Sequence, residues 1–280
     1  MKPLKASKLL ALLLLCAACT TKYSFVNVPP GFDQAASLPP EGTYVCDPFD
    51  AGPKASLQTG IIGSLHYLDA SQPQYSSVRD YLQFGHAIND VMLIMNRLYV
   101  PTRPFDRGFT TLGGDVLRNE SGEALIEWFA VDMRTRLGLG PTDAPGAYQL
   151  ALITDDGSIL TVGDGAGTEL INNDGFHSTK MKCATQPLDF QPGSTIPARI
   201  EYFQGPRTHI SLVLMWRPWP ANPADVNDPE CDQSGNDHFF DSTQNPSAPR
   251  QAYNDLLARG WRPMSAQNFY MPGSILNPCE

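Results

Sequence analysis

IPARIEYFQGPRTHISLVLMW, residues 196–216, is the stretch that decides the fold. Successive strand side chains point to opposite faces. Ile200, Tyr202 and Gln204 therefore share one face of the first arm, and Ile210, Leu212, Leu214 and Trp216 share one face of the second. Gly205-Pro206-Arg207-Thr208 between them has the composition of a turn, so the segment reads as a β-hairpin.

Working outward, the same signals repeat. EALIEWFAVDMRTRL (123–137) is aromatic and β-branched, GLGPTDAPG follows as a loop, and YQLALI (148–153) alternates into the turn TDDGS. SILTVGDG and ELINNDG carry the glycine and asparagine punctuation of a hairpin. GIIGSLHYL (60–68) has the content of a first strand, so folded structure is expected to begin near Gly60. In DYLQFGHAINDVMLIMNRLYV, Leu82, Ile88, Met92 and Met95 give partial helical spacing, which Val91, Leu93 and Ile94 interrupt. A short helix is expected in RQAYNDLLARG, with Gly260 closing it. The 25 prolines and 23 glycines in 280 residues fit many short strands, and the fold class expected is an all-β sandwich or barrel.

The N-terminus has a different character. Lys2, Lys5 and Lys8 precede an apolar run, Leu9–Leu15, too short to span a bilayer, which needs roughly 20 residues. Ala17-Ala18 before Cys19 resembles a bacterial lipobox, which implies cleavage after residue 18, lipid on the Cys19 thiol and attachment to a membrane; Thr20 in the next position implies the outer membrane. Residues 19–57 read as a tether, 58–220 as a β domain and 221–280 as an extension carrying the short helix.

The whole chain carries 20 basic and 29 acidic residues, and removing residues 1–18 takes three of the lysines. An acidic chain with no Lys/Arg cluster is unsuited to nucleic acid. Beyond Cys16 and Cys19, Cys46, Cys183, Cys231 and Cys279 remain, an even set that in an exported protein implies two disulfides. Three pairings are available and the sequence does not choose among them; the one favoured joins Cys46 with Cys279, stapling the ends of the folded region, and Cys183 with Cys231.

In order and spacing, GIIGSLHYLD (60–69), PTRPFDRGF (101–109), EWFAV (127–131), GAYQLALITDDGSIL (146–160), LINNDGFH (170–177) and residues 196–216 resemble the PA14 domain, in its bacterial fibro-slime or adhesin type. The resemblance covers roughly residues 58–220. It implies a β-barrel-like sandwich and, in the sugar-binding members, a cis Asp-Asp peptide whose two carboxylates hold Ca2+ for contact with sugar hydroxyls. On this chain that pair is Asp155 and Asp156; Gln204 stands where those members carry an asparagine ligand.

Asn173 and Asp174 are further oxygen donors for a ligand, although Asn-Asn-Asp-Gly is also a tight turn, and Asp-Asp-Gly-Ser likewise occurs where aspartates merely accept turn amides. His177 is expected to satisfy a turn carbonyl. Trp128 and Trp216 fall inside strand patterns and are expected in the core, leaving Trp219 as the surface aromatic for a sugar ring. There is no GxSxG, HExxH or phosphate-binding glycine loop, and no catalytic residue is assigned. The function expected is adhesin-like carbohydrate recognition. The alternative is a structural or assembly lipoprotein that docks an envelope or fibre protein.

Overall fold

The computed structural model describes residues 43–49, 58–273 and 277–279. Cys16, Cys19, where lipid is expected, and residues 20–42 of the expected tether lie outside the described residues. In chain order the elements are β1 (Thr43–Cys46), β2 (Ile61–Tyr67), α1 (Val78–Phe84), β3 (His86–Ala87), β4 (Val91–Met95), β5 (Tyr99–Pro104) and β6 (Phe129–Gly138). Then follow β7 (Gly146–Asp155), β8 (Ser158–Val162), β9 (Thr168–Asn173), β10 (Lys180–Cys183), β11 (Leu188–Phe190), β12 (Thr195–Gln204) and β13 (His209–Pro218). The C-terminal part adds β14 (Phe240–Asp241), β15 (Ala248–Pro249), α2 (Gln251–Ala258), β16 (Arg262–Pro263) and β17 (Phe269–Tyr270).

Two sheets face each other. One runs β1-β4-β2-β6-β12-β8-β9, with β17 also on β6 and β3 on β2; the other runs β10-β7-β13-β16, with β11 on β7 and β5 on β13. The fold is the all-β sandwich expected. Between the sheets lies one apolar cluster that includes Leu65, Val131, Met133, Leu150, Leu152, Leu160, Ile200 and Tyr202, together with Ile210, Leu212, Leu214 and Trp216. The inward faces read from alternation are thus the buried ones, each such side chain contributing about 1.5–3 kcal/mol of transfer free energy.

Residues 196–216 nevertheless do not form a hairpin. β12 pairs with β6 and β8, whereas β13 pairs with β7, β5 and β16. The two arms belong to opposite sheets, and Gly205–Thr208 carries the chain from one to the other. Both arms have an apolar face to bury. Stacking those faces across the ~10 Å between sheets buries both, which edge pairing alone would not do. The β8–β9 hairpin forms as expected.

Three boundaries differ from the sequence reading. β1 is part of the first sheet, parallel to β4, so the folded unit starts well before Gly60. The partial helical spacing after residue 80 yields only α1, which ends at Gly85; Val91–Met95 is a strand buried on both faces. Residues 221–280 are a layer rather than an appendage. Phe239, Phe240, Tyr253, Leu256 and Trp261 pack on Ala151, Ile153, Met181, Val213 and Met215, the outward face of the second sheet. Helix α2 closes with Gly260 at φ +86°, a left-handed conformation that glycine adopts without steric cost.

Both favoured disulfides are present, Cys46–Cys279 and Cys183–Cys231, with Cα separations of 5.7 and 5.6 Å. A buried polar hub fixes the extension. The Asp228 carboxylate accepts from Arg217 Nη1 (3.1 Å), Arg259 Nε and Nη2 (2.8 and 2.7 Å) and Trp261 Nε1 (3.0 Å).

Candidate cation and ligand site

Two chain crossings between the sheets lie side by side at one end of the sandwich. Asp155 ends β7 in the second sheet and Ser158 begins β8 in the first, so Asp156-Gly157 is itself a crossing. The other is Gly205–Thr208, and Ser211 of β13 lies opposite Asp155. Gly157 is required here: a Cβ would stand 2.4 Å from Phe203 Cε1, 2.7 Å from the Gly175 nitrogen and 2.8 Å from Asp174 Oδ1.

The Asp155–Asp156 peptide bond is cis, as the resemblance implies. Both residues are buried, at 6% and 5% exposure. Asp156 accepts backbone hydrogens from Gly205 (2.9 Å, Oδ2) and His177 (3.1 Å, Oδ1). Asp155 Oδ2 accepts from the Thr179 hydroxyl at 3.3 Å, and the Tyr202 hydroxyl sits 2.6 Å from the Asp155 carbonyl oxygen. Among the described residues no Lys or Arg is within ion-pair distance of either carboxylate. Burial and the neighbouring Asp156 charge push the Asp155 carboxyl up to about 7, against the Thr179 hydrogen bonds. Burial also raises Asp156, opposed by the Gly205 and His177 amides. These are the shifts expected of two like charges confined together away from water.

Amide side chains complete the surroundings. Asn173 is buried; its Nδ2 donates to Thr154 Oγ1 (2.9 Å) and the Lys180 carbonyl (3.1 Å), while its Oδ1 has no hydrogen-bond partner among the described residues. Gln204 reaches the pair with its nitrogen, Nε2 lying 3.5 Å from Asp156 Oδ2, while Oε1 is 2.8 Å from the Tyr202 hydroxyl. A half-turn of the amide exchanges those two atoms. Among the described residues no three of His, Cys, Asp and Glu converge as a metal-ligand set. The available donors are two carboxylates and two amide oxygens, a hard, all-oxygen set of the kind calcium takes.

Of the residues singled out in the sequence, Asp155, Asp156 and Gln204 converge, and Asn173 is tied to the neighbouring Thr154 and Lys180. Asp174 is adjacent but engaged: its two oxygens accept from Ser77 Oγ (2.6 Å) and the Val78 amide (2.9 Å), bracing the start of α1. Trp219 stands at the far end of the sandwich, its amide bonded to the Ala147 carbonyl at the other end of β7. His177 faces the Asn173 and Ser178 carbonyls with its ring nitrogens, the turn role expected of it.

Trp216 is in the core, but Trp128 is not. It is half-buried, its amide donates to the Gly205 carbonyl, and its ring meets Phe176 edge-on at 6.2 Å. Phe176 is 44% exposed and abuts Gly205 beside Asp156. This aromatic rim was not anticipated. The available signals were a large apolar residue inside the NNDGFH turn and a tryptophan placed just before its strand; Trp128 takes φ +55°, outside strand geometry.

No family profile and no curated protein matches the sequence. Among solved structures, the chain is similar to an anti-sigma factor domain-containing protein at 17% identity and TM-score 0.38, covering 59% of this chain and 44% of that one. It therefore spans less than half the length of that relative. It is also similar to a PA14 sugar-binding domain from an RTX adhesin (14% identity, TM-score 0.34, 57% of this chain and 90% of that one). A third is the epithelial adhesin 6 A domain from Candida glabrata in complex with Galb1-3GlcNAc (14% identity, TM-score 0.38, 75% of this chain and 97% of that one).

Proposed function

We propose that this protein is a non-catalytic glycan-binding module whose ligand is recognised through Ca2+ held at Asp155 and Asp156. The observation that carries the reading is the buried carboxylate pair itself, two like charges side by side with no Lys or Arg beside them among the described residues. Such a pair is costly without a cation and becomes favourable with one. The chain's own residues fit: the Asp155 and Asp156 carboxylates, the unpartnered Asn173 Oδ1, and Gln204 Oε1 after rotation of its amide. Ca2+ bound there supplies positive charge and open positions for oxygen ligands, which adjacent sugar hydroxyls can fill. Gly205 and His177 orient Asp156 through their amides, and Trp128 and Phe176 flank the opening with apolar rings suited to the C–H face of a sugar. Export and lipid attachment at Cys19, on the outer membrane, place such a module where extracellular or envelope glycans are met.

The test is a thermal melt of the protein with calcium chloride, with chelator, and for an Asp155→Asn/Asp156→Asn variant, followed by a glycan array in both ionic conditions. At a hundredfold excess over Kd, calcium should add about 2.7 kcal/mol of stability, with the gain lost in the variant and glycan capture lost with chelator. Identical melts in calcium and chelator would remove the calcium-dependent reading. Lipid attachment is checked separately, by incorporation of labelled palmitate that a Cys19→Ser substitution abolishes.

A further inference from the structure

The Asp155 carboxylate is held by Thr179, and Thr179 is held in turn by residues of the C-terminal extension. Residues 232–236 run alongside β10 as an added edge of the second sheet. The Asp232 amide donates to the Met181 carbonyl (2.7 Å), the Met181 amide to the Gln233 carbonyl (3.1 Å), and the Gly235 amide to the Thr179 carbonyl (2.8 Å). Asn236 Oδ1 then accepts the Thr179 amide at 3.2 Å. Thr179 is fully buried, its hydroxyl 2.9 Å from that of Thr102 and donating to Asp155 Oδ2. Thr102 is held from the extension as well, its carbonyl accepting from Ser247 Oγ at 2.8 Å. The Cys183–Cys231 disulfide joins the end of β10 to the residue that precedes this added edge.

We infer that the C-terminal extension is a positioning element of the Asp155–Asp156 site. Asn236 and the Cys183–Cys231 disulfide fix Thr179, Thr179 fixes the Asp155 carboxylate, and ligand affinity depends on residues 231–236 being docked on β10. For its ligand the inference rests on the calcium reading above; the coupling from extension to site is independent of that reading. Asn236 is half-buried and makes polar contacts, with the Thr179 amide and His209, so its side chain can be shortened without removing apolar packing between the sheets. A carboxylate that has lost its fixed hydroxyl partner samples more orientations, and each Ca2+ bound must then order it again.

The experiment compares wild type with Asn236→Ala, Thr179→Val and Thr179→Ser. Calcium affinity is measured by titration calorimetry with calcium chloride. Hydrogen exchange of the His177 amide, which donates to Asp156 and lies two residues before Thr179 in the segment that Asn236 anchors, is measured in chelator. The expected result for Asn236→Ala is at least a fivefold loss of calcium affinity and a tenfold faster His177 exchange, with the melting midpoint in chelator nearly unchanged. Thr179→Val should lose affinity and Thr179→Ser retain it. Wild-type affinity and wild-type exchange in Asn236→Ala would overturn the inference while leaving the calcium site standing. Faster exchange in a protein whose wild type takes up no calcium would support the coupling and overturn the calcium reading instead.

Discussion

Replacing Asp155 with Asn (D155N) removes one of two buried like charges while keeping an oxygen to accept the Thr179 hydroxyl. The folded protein raises this carboxyl from an ordinary value of 3.8 to about 7. The native state therefore binds more protons than the unfolded chain between those values, so metal-free stability falls as pH rises through that window. At about 1.4 kcal/mol per pH unit, the loss from pH 4 to above 7 is about 4 kcal/mol, and the side chain's burial leaves little solvent to screen it. Because the two carboxylates interact, the slope belongs to the pair, and D155N leaves Asp156 without its like-charged neighbour. In chelator at pH 8, D155N should be more stable than wild type by up to about 4 kcal/mol, a shift of roughly 8–16 °C at 2–4 °C per kcal/mol. With calcium the gap narrows, since only wild type gains from the ion, by about 2.7 kcal/mol at a hundredfold excess over Kd, and gains more as pH rises past 7. Melts in chelator and in calcium from pH 5 to 8.5 read both trends. A D155N protein less stable than wild type in chelator at pH 8, or with an unchanged pH slope, would refute the electrostatic account of the site.

Other perturbations test the surrounding framework. Asp228→Ala strips the counter-charge from Arg217, which is 5% exposed, and the acceptor from Trp261 Nε1. It should cost about 3–5 kcal/mol in a urea titration, and a loss below 1 kcal/mol would mean the hub does not hold the extension. In Gly157→Ala the added methyl meets three atoms closer than 3.0 Å, so a loss of about 1–3 kcal/mol with a weaker calcium response is expected; a wild-type melt and calcium shift would contradict the crossing geometry. Phe176→Ala, at an exposed position, should leave the melt within about 0.5 kcal/mol yet weaken glycan capture about fivefold, near 1 kcal/mol; unchanged capture would remove the aromatic rim from the site.

Much of this molecule is written in local pattern. Alternation identified the buried faces of β12 and β13, the glycine and asparagine punctuation located the β8–β9 hairpin, and an even set of cysteines in an exported context implied two bridges. The Asp-Asp-Gly-Ser stretch marked the candidate site only through the family resemblance, because adjacent strand side chains point to opposite faces and two neighbouring carboxylates would not otherwise be expected to converge. Pairing and direction were not legible in the same way. A two-residue period states which face of a strand is apolar, but not whether that face meets its neighbour along a hydrogen-bonded edge or across a sandwich. Residues 196–216 satisfy both descriptions until the rest of the chain supplies β6, β7 and β8 as partners. For the same reason the side chains that surround Asp155 come from distant segments. Thr179, backed by Thr102, reaches Asp155, Gln204 reaches Asp156, Asn173 ties to Thr154, Asp174 is drawn away to α1, and Trp219 is left at the opposite end of β7. Those placements depend on how two sheets and a C-terminal layer bury one another, a balance of long-range contacts with no periodic signature in the sequence.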